Sequence, residues 1–295
     1  MPDIQLRFNL DMLVMSSSFD RILSEQGFED DADRIYALLC EPEVFQEAFR
    51  TEAMIQTPCF VAPTNLITAA HIAYSNFSDC EEDMARNAFQ AAVMHKPQHI
   101  LAEIESTGLP LDPESKVSLK QSKDQYLRAV RTVSAFDFDG VYFTHMTNAF
   151  DAQCALMGAR SVYDGPVMLS YLLDQDARLA SPHSLFEAVS LADEYGADVI
   201  GITTGQPIDT VVSLVETMKK ATDKPLIVEL VVKQVSQRQF ESTAENPYYI
   251  ASTMFDATTR LHKAGVQFLR AVGAATPSYT STLSATSAGL NVVLK

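Results

Sequence analysis

Length, composition and charge limit the number of domains and the classes of binding partner that this chain can have. The chain has 295 residues and is 47% apolar, enough for one large core, and no linker-like segment divides it, so we expect a single domain over residues 1–295. Its 22 Lys and Arg residues against 38 Asp and Glu give a net charge of −16. Nucleic acid and anionic membranes are therefore not expected as partners, because both attract cationic surfaces.

The sequence also lacks the usual signals of export and of several enzyme classes. No apolar run approaches a membrane span, and the start lacks the basic and apolar regions of a signal peptide, so we expect a cytoplasmic protein. No GxGxxG, GxxxxGK[ST], HExxH, GxSxG or CxxC motif occurs. The chain has four cysteines, Cys40, Cys59, Cys80 and Cys154. Because no two of them form a CxxC pair, we expect them to be reduced thiols.

The first half of the chain alternates short apolar runs with segments of helical periodicity. Ser106–Pro113 is predicted as a loop after the third strand because its Gly and Pro residues disfavour helix and central strand, and Glu29–Asp31 as an acidic loop. The predicted strands are Leu10–Met15, Cys59–Ala62, Ile100–Ile104 and Asp139–Phe143. The predicted helices are Phe19–Gln26, Glu41–Thr51, Asn65–Tyr74, Glu81–His95 and Lys123–Ser134, and Asn148 is placed to cap a further one.

A complete strand–helix–strand unit lies in the stretch Gly165–Pro207. Val167–Tyr171 and Ala197–Ile202 are apolar runs typical of buried strands, while Ser181 and Pro182 predict the start of the helix between them and Gly196 its end. Two strands joined by a helix within about 35 residues are parallel, with a right-handed crossover. The remaining predicted elements are helix Ile208–Lys220, strand Leu226–Val232, helix Pro247–Lys263, strand Val266–Ala271, helix Tyr279–Thr286 and the tail Leu290–Leu294.

Eight predicted strands that alternate with helices favour a barrel over a doubly wound sheet. A (β/α)₈ TIM barrel of about 250 residues accounts for the spacing better than a doubly wound sheet, although alternation alone does not exclude the latter. In such a barrel the active site lies at the carboxyl ends of the strands. Polar residues at those ends are therefore the candidates for function.

His145 and Glu229 are the most informative of these polar residues. His145 follows strand four and is the candidate catalytic acid, base or ligand, although a lone His at a strand end is more often structural. Glu229 lies inside an apolar strand, where a carboxylate needs a partner or faces the barrel mouth, and Arg270 on the neighbouring strand predicts an ion pair. The candidates for substrate binding are Glu103, Thr144, Asn148, Ser170, Thr203, Thr204, Glu229 and Arg270.

Four segments resemble the homocysteine S-methyltransferase family, whose barrel includes the homocysteine-binding part of cobalamin-dependent methionine synthase. Ser170–Gly205 is similar to the family's segment that runs from a strand-five serine to the motif GINCG. Ser106–Pro113 (STGLPLDP), Thr144–Ala152 (THMTNAFDA) and Lys263–Pro277 (KAGVQFLRAVGAATP) stand in the places of further family motifs, the last of them the place of GGCCGTTP. The resemblance implies a barrel methyltransferase of methionine biosynthesis and one-carbon metabolism.

The sequence departs from the family pattern at the positions of the family's zinc ligands. The resemblance implies a zinc ion held by three thiolates, one from GINC and two from GGCC, and here those positions are Thr204, Val272 and Gly273. A hydroxyl, an isopropyl group and a hydrogen cannot replace three thiolates, so zinc is not expected. The family's strand-four Glu is also absent, since Thr144 occupies its position.

Two classes of function remain open. The first is a methyltransferase-like enzyme without protein-held zinc, which activates its acceptor through hydrogen bonds and a base such as His145, with an ordinary pKa near 6.5, or receives the methyl group from a corrinoid or methyl-pterin partner. The second is a non-catalytic relative that binds a small molecule or a partner subunit. A mouth with converging polar groups favours the first, and a mouth filled by apolar side chains favours the second.

Overall fold

Eight parallel strands form a nearly closed barrel in the computed structural model, which describes residues 3–235 and 239–291. This confirms the predicted (β/α)₈ TIM barrel of one domain. Residues 292–294 of the predicted tail lie outside the described residues. The strands are β1 (Leu13–Val14), β2 (Cys59–Ala62), β3 (His99–Glu105), β4 (Gly140–Met146), β5 (Val167–Leu172), β6 (Val199–Thr204), β7 (Leu226–Val232) and β8 (Val266–Gly273).

Eleven α-helices occur in the same described residues, after a short 3-10 helix at Ile4–Arg7. None of the helices within these ranges is long and apolar enough to cross a membrane. The helices are α1 (Asp20–Glu25), α2 (Asp31–Cys40), α3 (Glu43–Met54), α4 (Ala69–Ile72), α5 (Glu81–Val93), α6 (Lys116–Val133), α7 (Ala149–Arg160), α8 (Leu185–Glu194), α9 (Ile208–Lys219), α10 (Thr253–Lys263) and α11 (Pro277–Asn291).

The alternation of side chains along the strands places a charged layer above an apolar one inside the barrel. Because every second residue of a strand points the same way, the residues two positions beyond the inward apolar ones also point inward. The apolar layer includes Leu101, Met168, Ile227 and Phe268, all fully buried. The next inward positions toward the carboxyl ends are Glu103, Ser170, Glu229 and Arg270, all of them buried.

The barrel is incompletely paired at one seam, between β1 and β2. β1 has only two residues, and a single bridge, Met15 to Cys59, joins it to β2. Ser16 extends this contact, since its backbone N–H donates to the Cys59 carbonyl and its Oγ accepts from the Val61 N–H, both at 2.9 Å. Side-chain hydrogen bonds thus replace part of the missing ladder.

Glu52 of α3 supports this seam from behind. Only 3% of the residue is exposed, and Oε1 accepts hydrogen bonds from the Ser17 N–H at 3.1 Å and from Ser17 Oγ at 2.7 Å. Oε1 also accepts from Thr280 of α11, and Oε2 accepts from Thr57, which precedes β2. Burial raises the pKa of Glu52, and these hydroxyl donors partly oppose that shift. One carboxyl group therefore connects β1, β2 and the last helix.

Several predicted boundaries are wrong for identifiable physical reasons. The supposed acidic loop begins α2, because Asp30 caps that helix by accepting from the Asp33 N–H at 2.8 Å. The predicted start at Ser181 moves to a capping box formed by Ser184 and Glu187. Pro247 lies outside α10, which begins at Thr253, and the helix expected over Asn65–Tyr74 shortens to α4.

Replacing Glu52 by Ala is expected to lower the free energy of unfolding by roughly 2–4 kcal/mol, because it leaves buried donors of Ser17, Thr57 and Thr280 without an acceptor. Glu47→Ala on the same helix is the matched control, since the Glu47 side chain is exposed and pairs with Arg50 at the surface. That change should stay within about 0.5 kcal/mol. Urea denaturation of the three proteins measures the difference, and equal effects of the two variants would contradict the assigned role.

Candidate functional site

Arg270 is the centre of the charged layer at the carboxyl end of the barrel. Its guanidinium is 1% exposed; Nη1 lies 3.0 Å from Glu103 Oε1 and 3.0 Å from Glu229 Oε1, and Nη2 lies 3.3 Å from Glu103 Oε2. Nε donates to the Ser16 carbonyl at 2.9 Å. The predicted ion pair of Arg270 with Glu229 is confirmed. Its second partner, Glu103, reaches it from β3, which is not adjacent to β8 in the sheet.

The hydroxyl groups of two other predicted site residues hold the second oxygen of Glu229. Thr203 Oγ1 donates to Glu229 Oε2 at 2.5 Å, and Ser170 Oγ lies 3.4 Å from the same oxygen. Ser170 and Thr203 are also 3.2 Å apart, so the two hydroxyls and the carboxylate form one buried network. The structure therefore brings together Glu103, Ser170, Thr203, Glu229 and Arg270.

The pKa values of Glu103 and Arg270 are both raised in this cluster, for different reasons. Burial raises the pKa of Glu103, and the attraction of Arg270 opposes that shift. Burial disfavours the charged form of Arg270, but the charges of Glu103 and Glu229 outweigh it and raise the pKa of the guanidinium. Two carboxylates share one guanidinium, so full ionisation leaves one negative charge in excess.

His145 enters the site through an irregularity in β4. The register between β4 and β5 shifts between Phe143 and Met146, and His145 has a φ of 55°, a left-handed conformation uncommon for residues other than Gly. His145 Nδ1 lies 2.9 Å from Glu105 Oε1, and Asn65 Nδ2 donates to Glu105 Oε2 at 3.2 Å. With Nδ1 engaged, Nε2 is the ring nitrogen available to a ligand.

The pair of His145 and Glu105 is ionised over a wide pH range. Burial opposes the charged form of His145, but the hydrogen bond and charge of Glu105 outweigh it and raise its pKa to about 9. Burial likewise opposes the charged form of Glu105, but its bond to His145 lowers its pKa to about 2. The ordinary pKa near 6.5 expected for His145 is therefore wrong. At neutral pH this side chain is a cationic hydrogen-bond donor.

Glu105 and Asn65 are the members of this arrangement that sequence reasoning missed. Glu105 stands two positions after Glu103, so strand alternation places both on one face, but the predicted third strand ended at Ile104. Extending that strand by one residue would have found Glu105. Asn65 gave no comparable signal, because it belongs to the turn after β2 and its role depends on the fold.

A cavity of about 100 Å³ opens above these charged groups. Glu103, Glu105, His145, Glu229 and Arg270 line its floor. Its wall is apolar and comes mainly from the segment that follows β1. The wall side chains are Phe19, Leu23, Ile35, Leu38, Phe45, Pro63, Leu66, Met84 and Val272. The rim carries Asp20, Asp31 and Arg34, with Arg34 Nη1 at 3.1 Å from Asp20 Oδ1.

Five predicted site residues are not among the described residues that line this cavity: Thr144, Asn148, Ser170, Thr203 and Thr204. Ser170 and Thr203 bind Glu229 instead. Asn148 caps α7, where its Oδ1 accepts from the Phe150 N–H at 2.9 Å. Thr204 Oγ1 accepts from the Gln206 N–H at 3.2 Å. Thr144 is fully buried, and its carbonyl accepts from the Ser106 N–H.

The positions of the family's zinc ligands do not fit a metal. Val272 lines the cavity with an apolar side chain, Gly273 contributes no side chain, and the Thr204 hydroxyl is engaged locally. Within residues 3–235 and 239–291, no group of three or more His, Cys, Asp and Glu residues could hold a metal ion. The cysteines of the chain lie elsewhere, three of them buried and Cys40 exposed.

Comparison with solved structures reveals likeness in fold at low sequence identity. The homocysteine methyltransferase MmuM from Escherichia coli in its oxidized form superposes with a TM-score of 0.76 at 14% identity, covering 95% of this chain and 97% of that chain. Its metallated form gives the same values. The carboxyl transferase domain of Rhizobium etli pyruvate carboxylase with pyruvate gives a TM-score of 0.55 at 9% identity, over 99% of this chain and 50% of that chain. No protein-family model and no curated protein sequence matches the chain.

Purified protein is expected to contain far less than one zinc per chain, because Thr204, Val272 and Gly273 offer no thiolate ligand. Elemental analysis after expression in zinc-supplemented medium and dialysis measures the content. Variants in which Ser replaces each of Cys40, Cys59, Cys80 and Cys154 provide the comparison. One zinc per chain that disappears with any of these replacements would contradict the expectation.

Replacing His145 by Asn should destabilise the protein less than replacing it by Ala, because Asn tolerates the left-handed conformation. A His pKa raised from 6.5 to about 9 adds stability that is complete below pH 6.5 and lost as pH rises through 9. A Glu pKa lowered from 4.5 to about 2 adds stability present above pH 4.5 and lost as pH falls through 2. The loss caused by His145→Asn should therefore be largest between these limits, at pH 4.5–6.5.

Thermal melting across pH 3–10, with Glu105→Gln as the partner variant, measures both effects. Since the two residues act as one pair, the double variant should cost less than the sum of the single variants. Additive losses, or losses that do not vary with pH, would show that the pair contributes no stability of this kind.

Proposed function

We propose that this chain is a methyltransferase-like enzyme that works without protein-held zinc and binds a small-molecule substrate at the carboxyl end of its barrel. The observation that carries the proposal is the set of five ionisable side chains converging beneath the mouth cavity. Clusters of buried, mutually shifted groups in a cleft are typical of functional sites. The likeness in fold to a homocysteine methyltransferase supports the reaction class, together with the resemblance of the sequence segments.

The charge and the wall of the cavity favour a methylated cation as the methyl donor. When all three carboxyl groups are ionised, Glu103, Glu105 and Glu229 exceed Arg270 and protonated His145 by one negative charge on the floor. Phe19 and Phe45 stand in the wall with their ring centroids 5.2 Å apart. Aromatic faces and carboxylates together are the usual recognition elements for sulfonium and quaternary ammonium groups. A corrinoid or methyl-pterin partner is the other methyl source that the resemblance implies.

His145 serves this proposal as a hydrogen-bond donor rather than as a base. At neutral pH its imidazolium form cannot accept the proton of an acceptor thiol or hydroxyl, whereas Nε2–H can orient an oxygen of the substrate. The acceptor would then reach the site deprotonated or lose its proton to solvent. An altered acceptor, one that needs no metal-bound thiolate, fits these residues better than homocysteine does.

The non-catalytic alternative also has an observation in its favour. The cavity of about 100 Å³ is smaller than the roughly 300–1,000 Å³ of most ligand sites, and nine apolar side chains line it. In that case the charged floor would bind a small molecule, or a partner subunit would cover the mouth. Catalysis distinguishes the two functions.

Homocysteine methylation from S-methylmethionine or betaine is expected to be far below an ordinary turnover of roughly 1–10 per second, because no thiolate-held metal ionises the acceptor thiol. Incubation with donors carrying a ¹³C-methyl group, with a panel of thiol, amine and corrinoid acceptors, tests for transfer by NMR. His145→Ala and Glu103→Gln should abolish transfer, while His95→Ala, outside the cavity, should not.

Ordinary turnover with homocysteine would show that the missing thiolates do not matter. Donor binding without transfer to any acceptor in the panel would instead support the non-catalytic function.

A further inference from the structure

The floor of the mouth cavity contains an unbalanced charge that burial makes costly. Glu103 is 8% exposed and Glu229 1%, and both contact Arg270 Nη1 at 3.0 Å. Two like charges that share one counter-ion repel each other strongly where water is excluded. A second positive charge, from a proton or from a ligand, would remove the imbalance.

We propose that Glu103, which shares the Arg270 guanidinium with Glu229, holds one proton while the cavity is empty and releases it to solvent when the cationic group of a ligand binds. This inference rests on the proposed function, which supplies the cationic ligand. Charge is conserved in the exchange, because one positive charge enters the cavity as one proton leaves it. The carboxyl O–H bond breaks, and buffer takes up the proton.

The neighbouring charged groups do not supply the missing charge. On β3 and β4, Glu105 and His145 neutralise each other at 2.9 Å, and Tyr142 lies beside the cluster with a pKa raised by burial and by Glu229. At the rim, Asp20 of α1 pairs with Arg34 of α2. Asp31 of α2 adds a further negative charge. The positive groups are thus matched by other carboxylates.

Arg270 gives independent support for a ligand at this place. A guanidinium has five N–H donors, and four of them are directed at Ser16, Glu103 and Glu229. The second N–H of Nη2 has no acceptor within residues 3–235 and 239–291, although Arg270 is 1% exposed and lines the cavity. A buried donor without a partner is a place where a ligand or an ordered water completes the bonding.

Calorimetry of the full chain with tetramethylammonium and trimethylsulfonium tests the exchange. Titrations from pH 5 to 8 in two buffers of different ionisation enthalpy give the number of protons released, which should approach one per bound cation at low pH. The apparent dissociation constant should then fall about tenfold per pH unit and level off once Glu103 is ionised. tert-Butanol, a neutral molecule of similar shape, should release no proton.

Infrared difference spectra report the proton directly. The empty protein should show the C=O stretch of a protonated carboxylic acid that disappears when either cation is added. Glu103→Gln leaves one carboxylate for one guanidinium and should abolish both the infrared band and the proton release. If Glu103→Gln does not fold, Glu229→Gln should have the same effect for the same reason. Asp139→Asn is the matched control, because it removes another carboxyl group whose side chain is only 8% exposed, lies just before β4 and does not line the cavity, so it should leave the cation response unchanged.

The outcomes separate this inference from the proposed function. A cation that binds with a pH-independent affinity and no proton release would overturn the proton exchange and leave the cation site standing. Failure of both cations to bind at any pH would overturn the cationic donor, and the exchange with it. A cation-sensitive carboxyl band that persists in both Glu103→Gln and Glu229→Gln would place the proton elsewhere.

Discussion

The guanidinium of Arg270, shared between two buried carboxylates, is the interaction on which the mouth of this barrel depends. It crosses the interior from β8 to β3 and fixes the side chains of three strands at one height. Removing one partner of a buried ion pair typically costs about 3–5 kcal/mol, because the remaining charge loses both water and counter-ion. The arrangement fixes charged side chains in a place that excludes water, as a preorganised site requires.

The charged layer and the seam of the barrel are parts of one connected structure. The Ser16 carbonyl accepts from Arg270 Nε, while the adjacent Ser17 binds Glu52 and Ser18 Oγ accepts from the Gly273 N–H at 2.9 Å. Three consecutive serines thus connect β1 to β2, to β8 and to α3. The orientation of the guanidinium therefore depends on residues at the outside of the sheet as well as on its carboxylate partners.

The barrel architecture was predictable from the sequence, because strands and helices follow from local patterns of apolar and polar residues. The bounds of β2 and β7 agree with the predicted strands, since apolar runs buried on both faces end where polar or turn residues begin. The helix α2 was missed because its N-cap, Asp30, and its first residue, Asp31, also fit a solvated loop. Local composition does not distinguish an acidic first turn from an acidic loop.

The details of the site were predictable only in part, because they depend on contacts between distant residues. The pairing of Glu229 with Arg270 followed from the adjacency of the last two strands. The contact of Arg270 with Glu103 crosses the barrel, and no adjacency rule predicts it. The pKa of His145 depends on Glu105, which becomes its partner only because β4 is irregular at that residue.

The short first strand has a consequence for the dynamics of the barrel. Where neighbouring strands share a full ladder, local opening must break several backbone hydrogen bonds together, and their amide protons exchange slowly with solvent. Between β1 and β2 the backbone ladder is reduced to the Met15–Cys59 bridge and the contacts of Ser16, and side-chain bonds to Glu52 supply the further support. The amides of Ser16 and Val61 therefore mark a boundary between cooperative units, and hydrogen exchange there reports transient opening of the barrel.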